Sequence, residues 1–98
     1  MSRRRKTLPY SFSVEFRKRL KEYQALHKES KDYTYPLAVN LIQAISRAPE
    51  LGLIAGPGVR ILDYEGVSIK YEYEMQYLGF ARIRFVDLRA MPDRWSRD

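Results

Sequence analysis

An α+β domain, with two N-terminal helices packed on a small, mainly antiparallel sheet, is predicted by three features of the sequence. Apolar residues recur at the helical period of 3.6 up to Ala48. A period of two takes over from Val59, and turn residues interrupt that second region at Glu65-Gly66 and around Gly79. The element order is therefore β-α-α-β-β-β, carried by residues 8–98 as a single domain behind a basic segment at residues 1–7.

Leu8 to Phe12 is short, apolar and aromatic-rich behind Pro9, as befits an edge strand. Ser13 then has the chemistry of a helix N-cap. Glu15 falls in the first turn, and Phe16, Leu20, Tyr23 and His27 form a stripe at spacings of four, three and four. His27, at the end of that stripe, reads as an interfacial or C-terminal helix residue rather than a catalytic base. The polar stretch Lys28 to Tyr35 breaks the pattern. Pro36 fits the first position of a second helix capped by Thr34 or Tyr35. Leu37, Leu41, Ile45 and Ala48, flanked by Ala38, Ile42 and Ala44, give that helix a broad apolar face up to Pro49. Asn40, Gln43, Ser46 and Arg47 are expected to form its solvent stripe.

Leu51 to Gly58 holds three glycines and a proline and reads as a loop. It has no Gly-Lys-Ser or Gly-Lys-Thr ending, so a nucleotide-binding loop is not indicated. Val59 to Tyr64 forms the next strand, and Val67, Ile69, Tyr71, Tyr73 and Met75 alternate with polar residues along another. Ala81, Ile83 and Phe85 alternate with Arg82 and Arg84 on a last strand. Placing the apolar residues on one face sets Tyr73 against Ile83 and Tyr71 against Phe85. The same register brings Glu74 against Arg82 and Glu72 against Arg84 as cross-strand ion pairs. From Asp87 the chain reads as a polar tail with one large aromatic, Trp95.

The absence of cysteine excludes disulfides, thiolate metal sites and a thiol nucleophile. A single histidine excludes a histidine metal cluster, and no metal or small-molecule cofactor is expected. No stretch approaches the roughly 18 apolar residues of a membrane span, and the chain reads as a cytoplasmic protein with no membrane partner. So short a chain buries only about 60 to 65% of its extended surface, so a functional site is expected on the exterior.

The net charge is +6 and is unevenly placed. Residues 1–28 hold nine basic residues against Glu15 and Glu22, and residues 29–98 hold nine against ten acidic. A polyanionic partner is indicated, with Arg3, Arg4, Arg5, Lys6, Arg17, Lys18, Lys21 and Arg94 as candidate nucleic-acid contacts. Arg60, Lys70 and Arg89, together with Arg94, are expected to converge on the polar face of the sheet or its rim. Cations grouped without a conventional base suit a phosphodiester, because they bind its oxygens and stabilise charge that builds there. In RNA the 2′-hydroxyl supplies the nucleophile, and Trp95 would stack on an exposed base.

The element order, with Val59-Arg60-Ile61, Gly66 to Tyr73 and Ile83 to Arg89, resembles the RelE/ParE toxin superfamily of type II toxin-antitoxin systems, over roughly residues 8–95. In the RelE-like branch, Arg60 matches a basic residue on the strand after the glycine-containing loop. Lys70 of Ser68-Ile69-Lys70 stands where a Gly-Tyr-Arg arginine is usual, keeping the charge without the bidentate fork. Arg89 matches an arginine just past the last strand, and Trp95 has the spacing of a base-stacking tyrosine. A further cation usual on the first hairpin strand meets Leu62 or Asp63 here. The resemblance implies a toxin that cleaves mRNA on the ribosome as a metal-independent endoribonuclease, inhibits translation and is neutralised by a cognate antitoxin. Two other readings are a ParE-like inhibitor of DNA gyrase and a basic nucleic-acid-binding module without catalysis.

Overall fold

In the computed structural model, residues 8–75 and 81–90 are described, Glu74 and Met75 in their backbone alone. Strand β1 spans Tyr10–Phe12, helix α1 Val14–Ser30 and helix α2 Thr34–Arg47. A 3-10 turn covers Pro49–Leu51. Strands β2 Leu53–Gly56, β3 Val59–Tyr64, β4 Val67–Met75 and β5 Ala81–Ala90 complete the fold. The sheet order is β1-β5-β4-β3-β2, antiparallel throughout except for the parallel pair β1–β5.

Local chemistry sets the helix ends. Ser13 caps α1, its Oγ accepting from Phe16 N at 3.0 Å, and Lys31 closes it in the left-handed conformation at φ 58°. His27 sits in the last turn, where its Nδ1–H donates to the Asp32 carbonyl at 2.7 Å, a structural use of the ring. Helix α2 begins two residues earlier than Pro36 suggests. Thr34 is its first residue, Pro36 its third, and Asp32 Oδ1 accepts from Thr34 N at 2.8 Å in place of a Thr34 or Tyr35 cap. Proline is accommodated there because N–H groups of the first turn have no intrahelical acceptor. Hydrogen bonding from the Thr34 side chain, and then from its backbone N–H, holds the Asp32 carboxyl below its usual pKa. Ser46, expected in the solvent stripe, is buried and donates to the Gln43 carbonyl.

Two strand assignments differ from expectation. Leu53–Gly56 is an extra edge strand rather than loop, so the chain order is β-α-α-β-β-β-β. An edge strand pairs on one side only, which is why glycine and proline nearby do not preclude it. Strand β5 also continues to Ala90, so Asp87 to Ala90 are strand residues. The expected register holds: Tyr71↔Phe85, Tyr73↔Ile83, Glu72↔Arg84 and Glu74↔Arg82. Among the described residues, however, Glu72 and Arg84 form no salt bridge, and the only ion pair is Arg89–Asp87.

The helices cover one face of the sheet. Phe16, Ala38, Leu41, Ile42 and Ile45 meet Val67, Ile69, Tyr71, Ile83, Phe85 and Leu88 in one core. Phe85 is its hub, with ring centroids of Tyr10, Phe12, Phe16 and Tyr71 between 5.4 and 6.0 Å away. A bulge follows: Lys70 pairs Asp87 while Tyr71 pairs Phe85, leaving Val86 as the extra residue. Ser13 holds this bulge, its Oγ–H donating to the Val86 carbonyl at 2.8 Å and its N–H to the Phe85 carbonyl at 2.9 Å.

Behind the sheet, the buried Tyr71 hydroxyl donates to the Pro49 carbonyl and accepts from Gly52 N at 2.8 Å. Gly52 must be glycine on steric grounds, because a Cβ there would lie 2.7 Å from the Tyr71 oxygen. Burial raises the Tyr71 pKa, the Gly52 hydrogen bond opposing it in part.

Ser13→Ala is expected to cost about 1 to 2 kcal/mol in urea unfolding, since it removes a helix cap and leaves the bulge carbonyl without its donor. Tyr71 stays neutral in the fold at pH values where the unfolded chain's tyrosines, near pKa 10, ionise. Its contribution is therefore complete below about pH 10 and lost as pH rises through its higher folded value. Unfolding midpoints should fall above about pH 10, less steeply in Tyr71→Phe than in the wild type.

Candidate nucleic-acid interface

Alternation about the buried face places the polar residues of β4 and β5 on the other face, which no described element covers. Ser68, Lys70 and Glu72 point outward from β4, and Arg82, Arg84, Asp87 and Arg89 from β5. The bulge decides the last two. Uninterrupted alternation after Ile83 and Phe85 would turn Asp87 and Arg89 toward the helices. The extra residue instead sends Leu88 into the core and Asp87 and Arg89 outward.

Lys70, Arg89, Asp87, Ser68 and Ile61 line a shallow recess of about 240 Å³. Asp87 organises it, Oδ1 accepting from Leu88 N at 3.0 Å and Oδ2 from Arg89 Nε at 2.9 Å. The Arg89 side chain is 67% exposed, so this surface pair adds little stability; its effect is to steady the guanidinium while the terminal nitrogens stay open to solvent. Lys70 is exposed beside it and, among the described residues, has no ion-pair partner. Two cations at one recess, Arg89 steadied by Asp87 and Lys70 beside it, can bind a phosphate and stabilise charge on its oxygens. Among the described residues no group of three or more histidine or acidic side chains comes together to hold a metal.

Arg60 does not join them. It pairs with Tyr71 across β3–β4 and so faces the helix side of the sheet, where its Nη1 donates to the Gly52 carbonyl at 2.8 Å and the Glu50 carbonyl at 3.3 Å. It pins the segment before β2 and lies behind the recess rather than in it. Tyr73 completes this rear cluster, its hydroxyl donating to Glu50 Oε2 at 3.4 Å, with its pKa raised first by burial and then by the Glu50 charge. Strict alternation along β3 was the available signal: Ile61, not Arg60, shares a row with Lys70.

Arg17, Lys18 and Lys21 are exposed on α1, which packs through Phe16 against Phe85. They therefore lie on the far side of the molecule from Lys70 and Arg89. Arg3, Arg4, Arg5, Lys6, Arg94 and Trp95 fall outside the described residues. The residues that the sequence reading missed are Arg82 and Arg84, set aside there as ion-pair partners. With Ser11, Gly58, Val59 and Glu72 they line a second recess of about 470 Å³ on the same open face. A third recess, of about 400 Å³ between the α1–α2 and β3–β4 turns, is lined by Leu26, Tyr33, Leu37, Asp32 and Glu65 with no cation, and does not suit an anion. No described helix is long and apolar enough to cross a membrane. No protein-family model matches the chain, and none of the curated proteins matches it.

Arg60→Ala is expected to lower stability by about 1 to 2 kcal/mol in urea unfolding, because it frees two carbonyls that its charge now binds. Lys70→Ala and Arg89→Ala should each stay within about 0.5 kcal/mol of the wild type. Equal losses in all three would remove the distinction between the two faces.

Proposed function

We propose that this protein is the toxin of a toxin-antitoxin pair, a metal-independent endoribonuclease that cuts mRNA on the ribosome and so inhibits translation. The observation that carries the reading is the juxtaposition of Lys70 and Arg89 at one recess on an open sheet face, with Asp87 orienting the guanidinium. An α+β fold of two helices on a five-stranded mixed sheet supports it, as does the resemblance of the β3–β5 sequence to the RelE-like branch.

In this reading Arg89 and Lys70 hold the non-bridging oxygens of the scissile phosphate. The 2′-oxygen attacks phosphorus as its proton leaves to solvent, and the bond to the 5′-oxygen breaks as that oxygen gains a proton. The products are a 2′,3′-cyclic phosphate and a 5′-hydroxyl. The cations stabilise the added negative charge of the transition state, and mRNA and ribosome supply the remaining alignment. Trp95 is the proposed base-stacking partner in the RNA-bound state, Arg3, Arg4, Arg5 and Lys6 add non-specific attraction, and the partner that neutralises the toxin is a cognate antitoxin.

The rear placement of Arg60 favours a second reading. Of the three cations matched to the RelE-like branch it leaves Lys70 and Arg89 on the open face, and a ParE-like inhibitor of DNA gyrase needs no ribonuclease set.

In a translating extract, the wild type is expected to produce mRNA cuts in register with codons, detected by primer extension. Arg89→Ala should reduce them by about 100-fold or more. Intact message with folded wild-type protein, together with inhibition of DNA supercoiling by gyrase, would establish the second reading instead.

A further inference from the structure

The open face carries one described cation in each of four consecutive cross-strand rows. Arg82 stands in the row of Glu74, Arg84 in that of Glu72, Lys70 in that of Asp87 and Arg89 in that of Ser68. Rows on one face are two residues apart, about 7 Å, so the four cations run along the sheet for about 20 Å. Lys70 and Arg89 belong to the recess already described. Arg82 and Arg84 are exposed, and Arg84 has no hydrogen bond or ion pair among the described residues although Glu72 lies directly across from it. The hydroxyl-bearing Ser11 flanks Arg84 on β1, and both line the 470 Å³ recess.

We infer that Arg82 and Arg84 extend the candidate site into a track for single-stranded RNA, one phosphate to a row, running from Arg89 past Lys70 and Arg84 to Arg82. This rests on the reading of Lys70 and Arg89 as phosphate contacts. A small anion calls for cations converging on a point. Cations repeated along a line fit a polymer with one negative charge per repeat, and a strand whose phosphate is held at Arg89 and Lys70 continues over the neighbouring rows. Glu72 and Asp87 stand beside the line and repel phosphates from either side, which confines the backbone to the cation row and limits the total attraction.

The test uses the full chain and fluorescence anisotropy with 2′-O-methyl oligouridylates, which lack the attacking hydroxyl, at lengths of two and eight nucleotides. Arg82→Ala and Arg84→Ala are each expected to weaken the octamer several-fold and leave the dinucleotide unchanged. Each should also reduce the slope of log affinity against log salt by about 0.7. Glu72→Gln should tighten the octamer, and Arg89→Ala should weaken both lengths. Octamer affinity and slope unchanged in both arginine variants, with Arg89→Ala still weakening binding, overturn the track and leave the site reading intact. Failure of Lys70→Ala and Arg89→Ala to alter binding of either length overturns both. Octaglutamate bound with the same dependence on Arg82 and Arg84 overturns RNA as the occupant in favour of an acidic peptide. Far-ultraviolet circular dichroism of each variant verifies that the fold is retained.

Discussion

Phe85 has no solvent exposure, and four aromatic rings from β1, α1 and β4 surround it. Around that contact the central strand pair β4–β5 presses one face against both helices. Strand geometry then leaves no choice for the other face: residues between the buried ones point the opposite way. The core thus places Lys70 beside Tyr71, and Arg82 and Arg84 beside Ile83, on the uncovered side. Hydrophobic burial, rather than any attraction among the cations, collects them there.

The bulge at Val86 is the second constraint. It breaks the alternation between Phe85 and Leu88, lets both be buried, and turns Asp87 and Arg89 outward to meet Lys70. Its half-buried carbonyl is bonded by Ser13, so the cap that starts α1 also holds the irregularity that builds the recess. Arg60 shows the converse. One residue of displacement along β3 puts it behind the sheet, where with Tyr71 it ties down the 3-10 turn that leads into β2.

Charge divides in the same way. The positive excess of the chain resides in residues 1–28, and the part of it carried by α1 faces away from the sheet. The open face mixes Lys70, Arg82, Arg84 and Arg89 with Asp63, Glu72 and Asp87, so its attraction for a polyanion depends on placement more than on quantity. The exposed cations of α1 and those of the open sheet face therefore lie on two separate surfaces.

Much of this was legible in the residues. Ser13 as a cap, the apolar stripes of both helices, the Glu65-Gly66 turn with its two positive φ values, and the β4–β5 register all follow from local chemistry or period. The spacing Ile83, Phe85, Leu88, two residues and then three, also carries the bulge, although simple alternation passes over it. Strand β2 was not legible, because its glycines and proline argue against a strand and only pairing with β3 overrides them. The sequence by itself determined the apolar stripes that meet in the core and which charges exist. The tertiary structure alone decided which charges meet, because a bulge and a one-residue difference in register choose the face of the sheet from which each cation projects.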